Sequence, residues 1–172
     1  MALDERLEAA LNAQVTMEYG AAYAYFGMSA WFEAEGLPGM AQWMRAQAAE
    51  ELTHAEKFYQ FILDRGGRID LGPIEAPQAD FDASIDVFRM SLAQEQAVTV
   101  SINNLYSMAV ELKDFASLPL LDWFVAEQVE EESSVQQIID DLGRAGDAGH
   151  TILMLDRELG TRLGGGGEQA TI

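Results

Sequence analysis

The chain contains no cysteine, which excludes disulfides and thiolate metal sites; any metal must be held by Glu, Asp, His, Gln or Tyr. Proline is scarce as well, with four residues, all near breaks in the periodicity. The long stretches dominated by Ala, Leu, Met, Glu and Gln are therefore free to be helical, and an all-α fold is expected. No uninterrupted apolar run approaches the roughly 20 residues of a membrane span. Met1-Ala2-Leu3-Asp4-Glu5 lacks the basic and apolar regions of a signal peptide, so a cytoplasmic protein without a membrane partner is expected. Positive charge is also short: 10 Lys and Arg stand against 29 Asp and Glu, a formal net charge of −19. Phosphates would be repelled, so no nucleic-acid partner is expected and cationic partners or substrates are favoured. With 172 residues, 49% of them hydrophobic, the chain supplies one domain with a real core.

What is present centres on Glu50-Glu51-Leu52-Thr53-His54, in a helical pattern running from about Pro38 to Arg65. Helical steps through Glu51 give the stripe Met44, Gln47, Glu51, His54, Phe58 and Phe61, apolar at its ends and ionisable at its centre. Glu51 and His54, at i and i+3, project a carboxylate and an imidazole from one face and can share a metal ion. A lone Glu-x-x-His occurs by chance on many helix surfaces. This one lies on a stripe that should enter the core, where an unpaired carboxylate costs several kcal/mol.

Three other helical patterns repeat the anomaly. The first, from an Asp4 N-cap to about Glu35, has the stripe Leu7, Leu11, Gln14, Glu18, Ala21, Tyr25, Met28 and Phe32. Gly36-Leu37-Pro38-Gly39 is a short turn, so the first two helices should be antiparallel with Glu18 level with Glu51. Arg68 to Asp82 has no helical period and is expected to cross the length of the bundle. The third helix, about Asp82 to Asp114, reads Phe81, Phe88, Leu92, Glu95, Thr99, Ile102, Tyr106 and Ala109. After Ser117-Leu118-Pro119 the fourth reads Leu121, Phe124, Gln128, Glu131, Val135, Ile138 and Leu142. A short fifth helix is expected from about Asp147 to Leu159. One domain, residues 1–163, would thus be followed by a flexible Gly-rich tail, 164–172.

Four carboxylates in one low-dielectric slice, beside His54 and Gln128, would repel one another and hold their protons unless cations bind between them. Oxygen-rich ligation with one imidazole suits iron or manganese. A solvated face explains any one of these acids; it does not explain four of them at matching heights.

Glu18 with Tyr25, the Glu50-Glu51-x-x-His54 run, Glu95-Gln96, and Glu127-Gln128-x-Glu130-Glu131 together resemble the bacterial non-haem ferritins, over the helical region up to about Leu159. The di-iron carboxylate bundle is a catalogued pattern that this combination matches. The resemblance implies a ferritin-like four-helix bundle with one long crossover between the second and third helices, and a short C-terminal fifth helix. It implies a ferroxidase centre in which Glu18, Glu51 and His54 hold one iron. Glu51 would bridge to a second, held by Glu95 and Glu131 with Gln128 nearby. Glu50, Glu127 and Glu130 match a third, outer iron site, and Tyr25 the tyrosine beside the centre. Fe(II) would be oxidised by dioxygen or peroxide and stored as ferric mineral in a shell of twenty-four subunits.

Related families differ at named positions. Bacterioferritins carry Glu-x-x-His on both the second and fourth helices and a methionine beside the histidine motif. Here the fourth helix has Gln128-x-x-Glu131 and the methionine position is Leu52, so no haem is expected. Peroxidases of the rubrerythrin type add a cysteine-ligated iron, and mini-ferritins that bind DNA lack a fifth helix. The resemblance also leaves Leu118 and Leu121 where animal ferritins have acidic three-fold channels, with Asp122 the nearest acid, and His150 near an axis. The remaining alternatives are a small-oligomer di-metal oxidase or peroxidase without mineral storage, and a purely structural bundle.

Overall fold

A computed structural model describes residues 3–146 and 148–161. Within them the backbone forms α1 (Glu5–Ala34), α2 (Pro38–Asp64), α3 (Ser84–Glu111), α4 (Leu118–Ala145) and α5 (Gly149–Leu159), with no strand among the described residues. The all-α expectation and its single long crossover hold. The expected Gly-rich tail lies outside the described residues, as does Asp147, the residue from which α5 was expected to start.

Each helix begins and ends for a local reason. Asp4 caps α1, its carboxylate accepting from Arg6 N at 2.9 Å. Gly36, at φ +73°, takes the left-handed conformation that lets the chain leave α1 and turn back. At α2 the N-cap residue Leu37 offers no side-chain acceptor. Asp156 of α5 replaces it: its Oδ1 accepts from Met40 N at 2.8 Å, putting a buried carboxylate at the positive end of α2. That approach requires Gly39, because a Cβ there would lie 1.7 Å from the Asp156 carbonyl oxygen.

α1 packs against α2 and α3, and α3 against α4, while α2 and α4 reach each other only through side chains. The crossover runs along α1 in register. Asn12 donates to Arg68 O at 2.9 Å and accepts from Asp70 N at 2.8 Å, and Thr16 accepts from Gly72 N at 3.0 Å. Pro77 then rests on Gly27. Asn12 to Gly27 is about 22 Å of helix at 1.5 Å per residue, which is why α3 starts at the end of the bundle where α1 finishes. At the opposite end Arg65 grips Asp114 with both guanidinium nitrogens, at 3.0 and 2.8 Å, tying α2 to the α3–α4 turn.

The interior is two apolar halves. Tyr25, Met28, Phe32, Met40, Trp43, Met44, Phe88 and Val135 fill one; Leu7, Leu11, Phe58, Ile62, Ile102, Leu121 and Phe124 fill the other. Between them lies a polar slice containing Gln14, Glu18, Gln47, Glu51, His54, Glu95, Gln128 and Glu131, all buried. The α1 and α4 stripes enter the core as the periodicity predicts. On α3 the buried line is Phe88, Ser91, Glu95, Val98, Ile102, Leu105 and Ala109, while Leu92, Thr99 and Tyr106 are only half-buried. The stripe is thus rotated by part of a turn from the expected one. Phe81 belongs to the crossover, stacked edge-on against Trp31 at 5.6 Å, and is not part of α3.

Candidate metal centre

Each acid is delivered by a helix whose flanking turns bury in one of the apolar halves, so none of the four can swing out to water. Glu18, Glu51, Glu95 and Glu131 are at most 4% exposed. Ligand atoms of Glu18, Glu51 and His54 lie within 4.8 Å of one another, and so do those of Glu50, His54, Glu127 and Glu131. His54 stands in both groups. The second group opens outward, since Glu50 is half-buried.

Polar side chains orient these acids. Gln14 Nε2 donates to Glu18 Oε1 at 2.8 Å, and Gln47 Nε2 donates to Glu131 Oε2 at 2.9 Å. The Tyr25 hydroxyl donates to Glu95 and pairs with Ser91 Oγ at 2.8 Å. Gln128 Nε2 reaches Glu95 O at 3.1 Å and Thr99 Oγ1 at 3.3 Å. Among the described residues, Glu18 Oε2, Glu51 Oε1 and Gln47 Oε1 are buried and reached by no amide or hydroxyl donor; only the neighbouring carboxyls, Glu18 with Glu51 and Glu51 with Glu95, can share a proton there. An orphaned buried acceptor costs about 1–3 kcal/mol, so the orphans on Glu18 and Glu51 fit ligand positions better than structural ones.

Burial and crowding hold protons on these carboxyls. Burial, with the charges of Glu95, Glu50 and Glu127 added, pushes Glu131 up to about 9. Burial raises Glu18 to about 7 against the pull of Gln14, and Glu50 to about 7 with Glu127 beside it. Glu51 is driven well above the usual carboxylate range by burial and by Glu95 and Glu18, and Glu95 is raised by burial. Burial and then Lys57 lower His54 to about 4. The 3.3 Å contact between His54 Nδ1 and Glu51 Oε2 has ion-pair distance. With the imidazole held neutral, it is a hydrogen bond and not an ion pair. A dication would reverse this logic, displacing the protons and collecting ionised carboxylates and a neutral imidazole.

The placement of the remaining predicted residues differs in detail. Glu131 hydrogen-bonds Gln47 and stands with the outer group, while Glu95 is held by Tyr25 and Gln128. Glu127 is buried within the outer group, whereas Glu130 is exposed and belongs to neither group. Trp123 packs edge-on against His54 at 5.5 Å with Lys57 above its ring at 4.3 Å. Leu52 is 42% exposed, and Met40 and Met44 are core. Sequence reasoning assigned no role to Gln14, Gln47 or Ser91. The available signal was a polar residue four positions before each acid, Gln14 before Glu18, Gln47 before Glu51 and Ser91 before Glu95.

The ferritin-like domain family matches residues 8–145. The chain belongs to the ferritin family. Bacterial non-haem ferritins of Staphylococcus epidermidis and Staphylococcus aureus strain MRSA252 are 42% and 41% identical to it over 160 residues, 93% of this chain and 96% of theirs. The open-pore ferritin of the archaeon Archaeoglobus fulgidus superposes with a TM-score of 0.92 at 40% identity, covering 94% of this chain and 99% of its own. The ferritin fold therefore extends over nearly the whole chain, α5 included.

Proposed function

We propose that this ferritin binds Fe(II) as substrate in its buried acidic slice, oxidises it there and stores the ferric product. The observation that carries the reading is the pair of ligand groups sharing His54, in which Glu18 and Glu51 each keep a buried oxygen that no amide or hydroxyl donor reaches. In this reading Glu18, Glu51 and His54 take one Fe(II). Glu51, Glu95 and Glu131 take a second, with Gln128 beside it, and Glu50 and Glu127 take an outer ion with Glu131 shared between the two; the exposed Glu130, outside both ligand groups, is left out of this assignment. Hard carboxylate oxygens favour Fe(III) over Fe(II), which drives the oxidation. Each of two Fe(II) gives one electron, and dioxygen takes the two electrons with two protons and leaves as hydrogen peroxide. Where hydrogen peroxide is the oxidant, the same electrons and protons yield two waters.

The chain's own groups prepare this step. Gln14 and Gln47 aim Glu18 and Glu131, and the Tyr25 hydroxyl restrains Glu95 and lies within reach to donate a hydrogen or an electron. Ferric ions then pass to the outer carboxylates and mineralise in the interior of a closed shell. By family likeness that shell has twenty-four subunits, with α5 near its four-fold axes.

Aerobic addition of Fe(II), followed by ferric absorbance and by particle size on the same sample, tests the reading. A rapid ferric signal with a large shell that gains a mineral core is expected. Oxidation no faster than in buffer would refute it, and rapid oxidation by a small oligomer would refute storage.

A further inference from the structure

One pocket of the surface touches a residue of the polar slice, Gln128, without including Glu50 or Glu127. It lies between α3 and α4, has a volume of about 310 Å³, and is walled by Ile102, Val125 and Val129 and closed at its inner end by Thr99, Gln128 and Glu132. Its rim is exposed and mainly apolar, with Val129 68% and Val125 38% accessible and the amide of Asn103 beside them. Its floor is the back of the centre. Gln128, 2% exposed, contacts Glu95 through both the backbone carbonyl at 3.1 Å and the carboxylate at 3.4 Å. Thr99 accepts from Gln128 on one side and donates to Glu132 Oε1 on the other, so one oxygen of the pocket's single carboxylate is engaged.

The two approaches differ in what they can pass. The Glu50, Glu127 and Glu131 side offers a hydrated dication several carboxylates in succession. The α3–α4 pocket sets Ile102, Val125 and Val129 against a single carboxylate, Glu132, and the neutral Thr99, Asn103 and Gln128, so it repays much less of the cost of stripping a dication's water. A small, neutral, weakly hydrated molecule suffers no such penalty there.

We infer that the α3–α4 pocket is the dioxygen port of the centre, with Val125 and Val129 as its mouth and the Gln128 amide as the gate onto the Glu95 side. This rests on the ferroxidase reading above and assigns separate routes to its two substrates. Gln128 and Thr99 are positioning residues in this role: the bonds from the Gln128 amide to Glu95 and Thr99 keep the floor closed, and withdrawal of the Gln128 side chain from them opens it.

Filling the mouth tests this. Val129→Trp and, independently, Asn103→Trp on the same rim place an indole over the opening without touching a proposed ligand. Each is compared with wild type as the assembled protein, checked by size exclusion, and the variant that matches wild-type size is used. The readouts are anaerobic Fe(II) binding and initial oxidation rates with varied dioxygen or hydrogen peroxide. The expected result is unchanged Fe(II) binding, a KM for dioxygen raised by roughly five-fold or more, and a peroxide-driven rate within about two-fold of wild type. An unchanged dioxygen dependence would overturn the port, as would equal slowing with both oxidants, which marks damage to the centre. If wild type itself fails to oxidise Fe(II), it is the ferroxidase reading that fails.

Discussion

Glu51 stands at the centre of the slice, where burial and three other carboxyls raise its pKa. It is 1% exposed, faces Glu18, Glu95 and Glu131, and no amide or hydroxyl donor reaches one of its oxygens. Glu51→Gln keeps its shape and removes the ionisable group. We predict that it lowers the Fe(II) oxidation rate at least about ten-fold. It should also raise the melting temperature of the metal-free protein by about 2–4 °C at pH 8, the exchange of stability for function expected at a site built for a cation. Calorimetry with stopped-flow absorbance checks both; a variant as active as wild type would remove Glu51 from the centre. Proton release gives a second prediction at this scale. Glu131, pushed up to about 9, holds its proton at neutral pH, and burial and crowding shift Glu51 in the same direction. Anaerobic Fe(II) binding should therefore release protons to a weakly buffered solution and tighten as pH rises through 7 to 9. Binding that is independent of pH across that range would contradict it. The four acids were legible in the sequence because a Glu in the middle of an apolar stripe is conspicuous. Gln14, Gln47 and Ser91 were not, since short or neutral polar residues are common on such stripes and only the fold shows what they face.

Among the elements, the least self-sufficient joint is between α2 and α5. α2 starts without a cap of its own, and Asp156 supplies one from more than a hundred residues away, against Gly39. Asp156→Ala should destabilise the protein by about 1–2 kcal/mol, the usual worth of a lost cap, and expose α5 to protease. Thermal unfolding and limited proteolysis measure this, and an unchanged melting temperature would show the contact to be incidental. No local sequence rule pairs a residue at 156 with a helix start at 38. The long elements were readable because each has an apolar stripe, a polar face and a Gly or Pro boundary. The α3 register was misjudged because its apolar arc is broad: Leu92, Thr99 and Tyr106 read as well as Ser91, Val98 and Leu105. Packing against α1, where Ser91 meets Tyr25, chose the second set.

For the molecule as a whole, the two apolar halves hold apart a slice that water cannot neutralise and protein groups only partly do. In the metal-free state the acids with raised pKa, such as Glu131 near 9, contribute stability fully below about pH 4.5 that is lost as pH rises toward 9. His54, lowered to about 4, acts in the opposite sense, its contribution present above pH 6.5 and lost as pH falls toward 4. Metal-free protein should therefore lose thermal stability on both sides of the mildly acidic range, and Fe(II) should restore it on the alkaline side alone. A melting temperature of metal-free protein that rises steadily from pH 6 to 9 would contradict this. The net charge of −19 adds a field that draws cations toward the protein and weakens with salt. The most direct measurement is an anaerobic Fe(II) titration of metal-free protein by calorimetry. The account predicts saturable uptake of at least two ions per chain, lost in Glu51→Gln. Heats no larger than dilution, or uptake unaltered by that substitution, would contradict the claim that these buried carboxylates exist to hold iron.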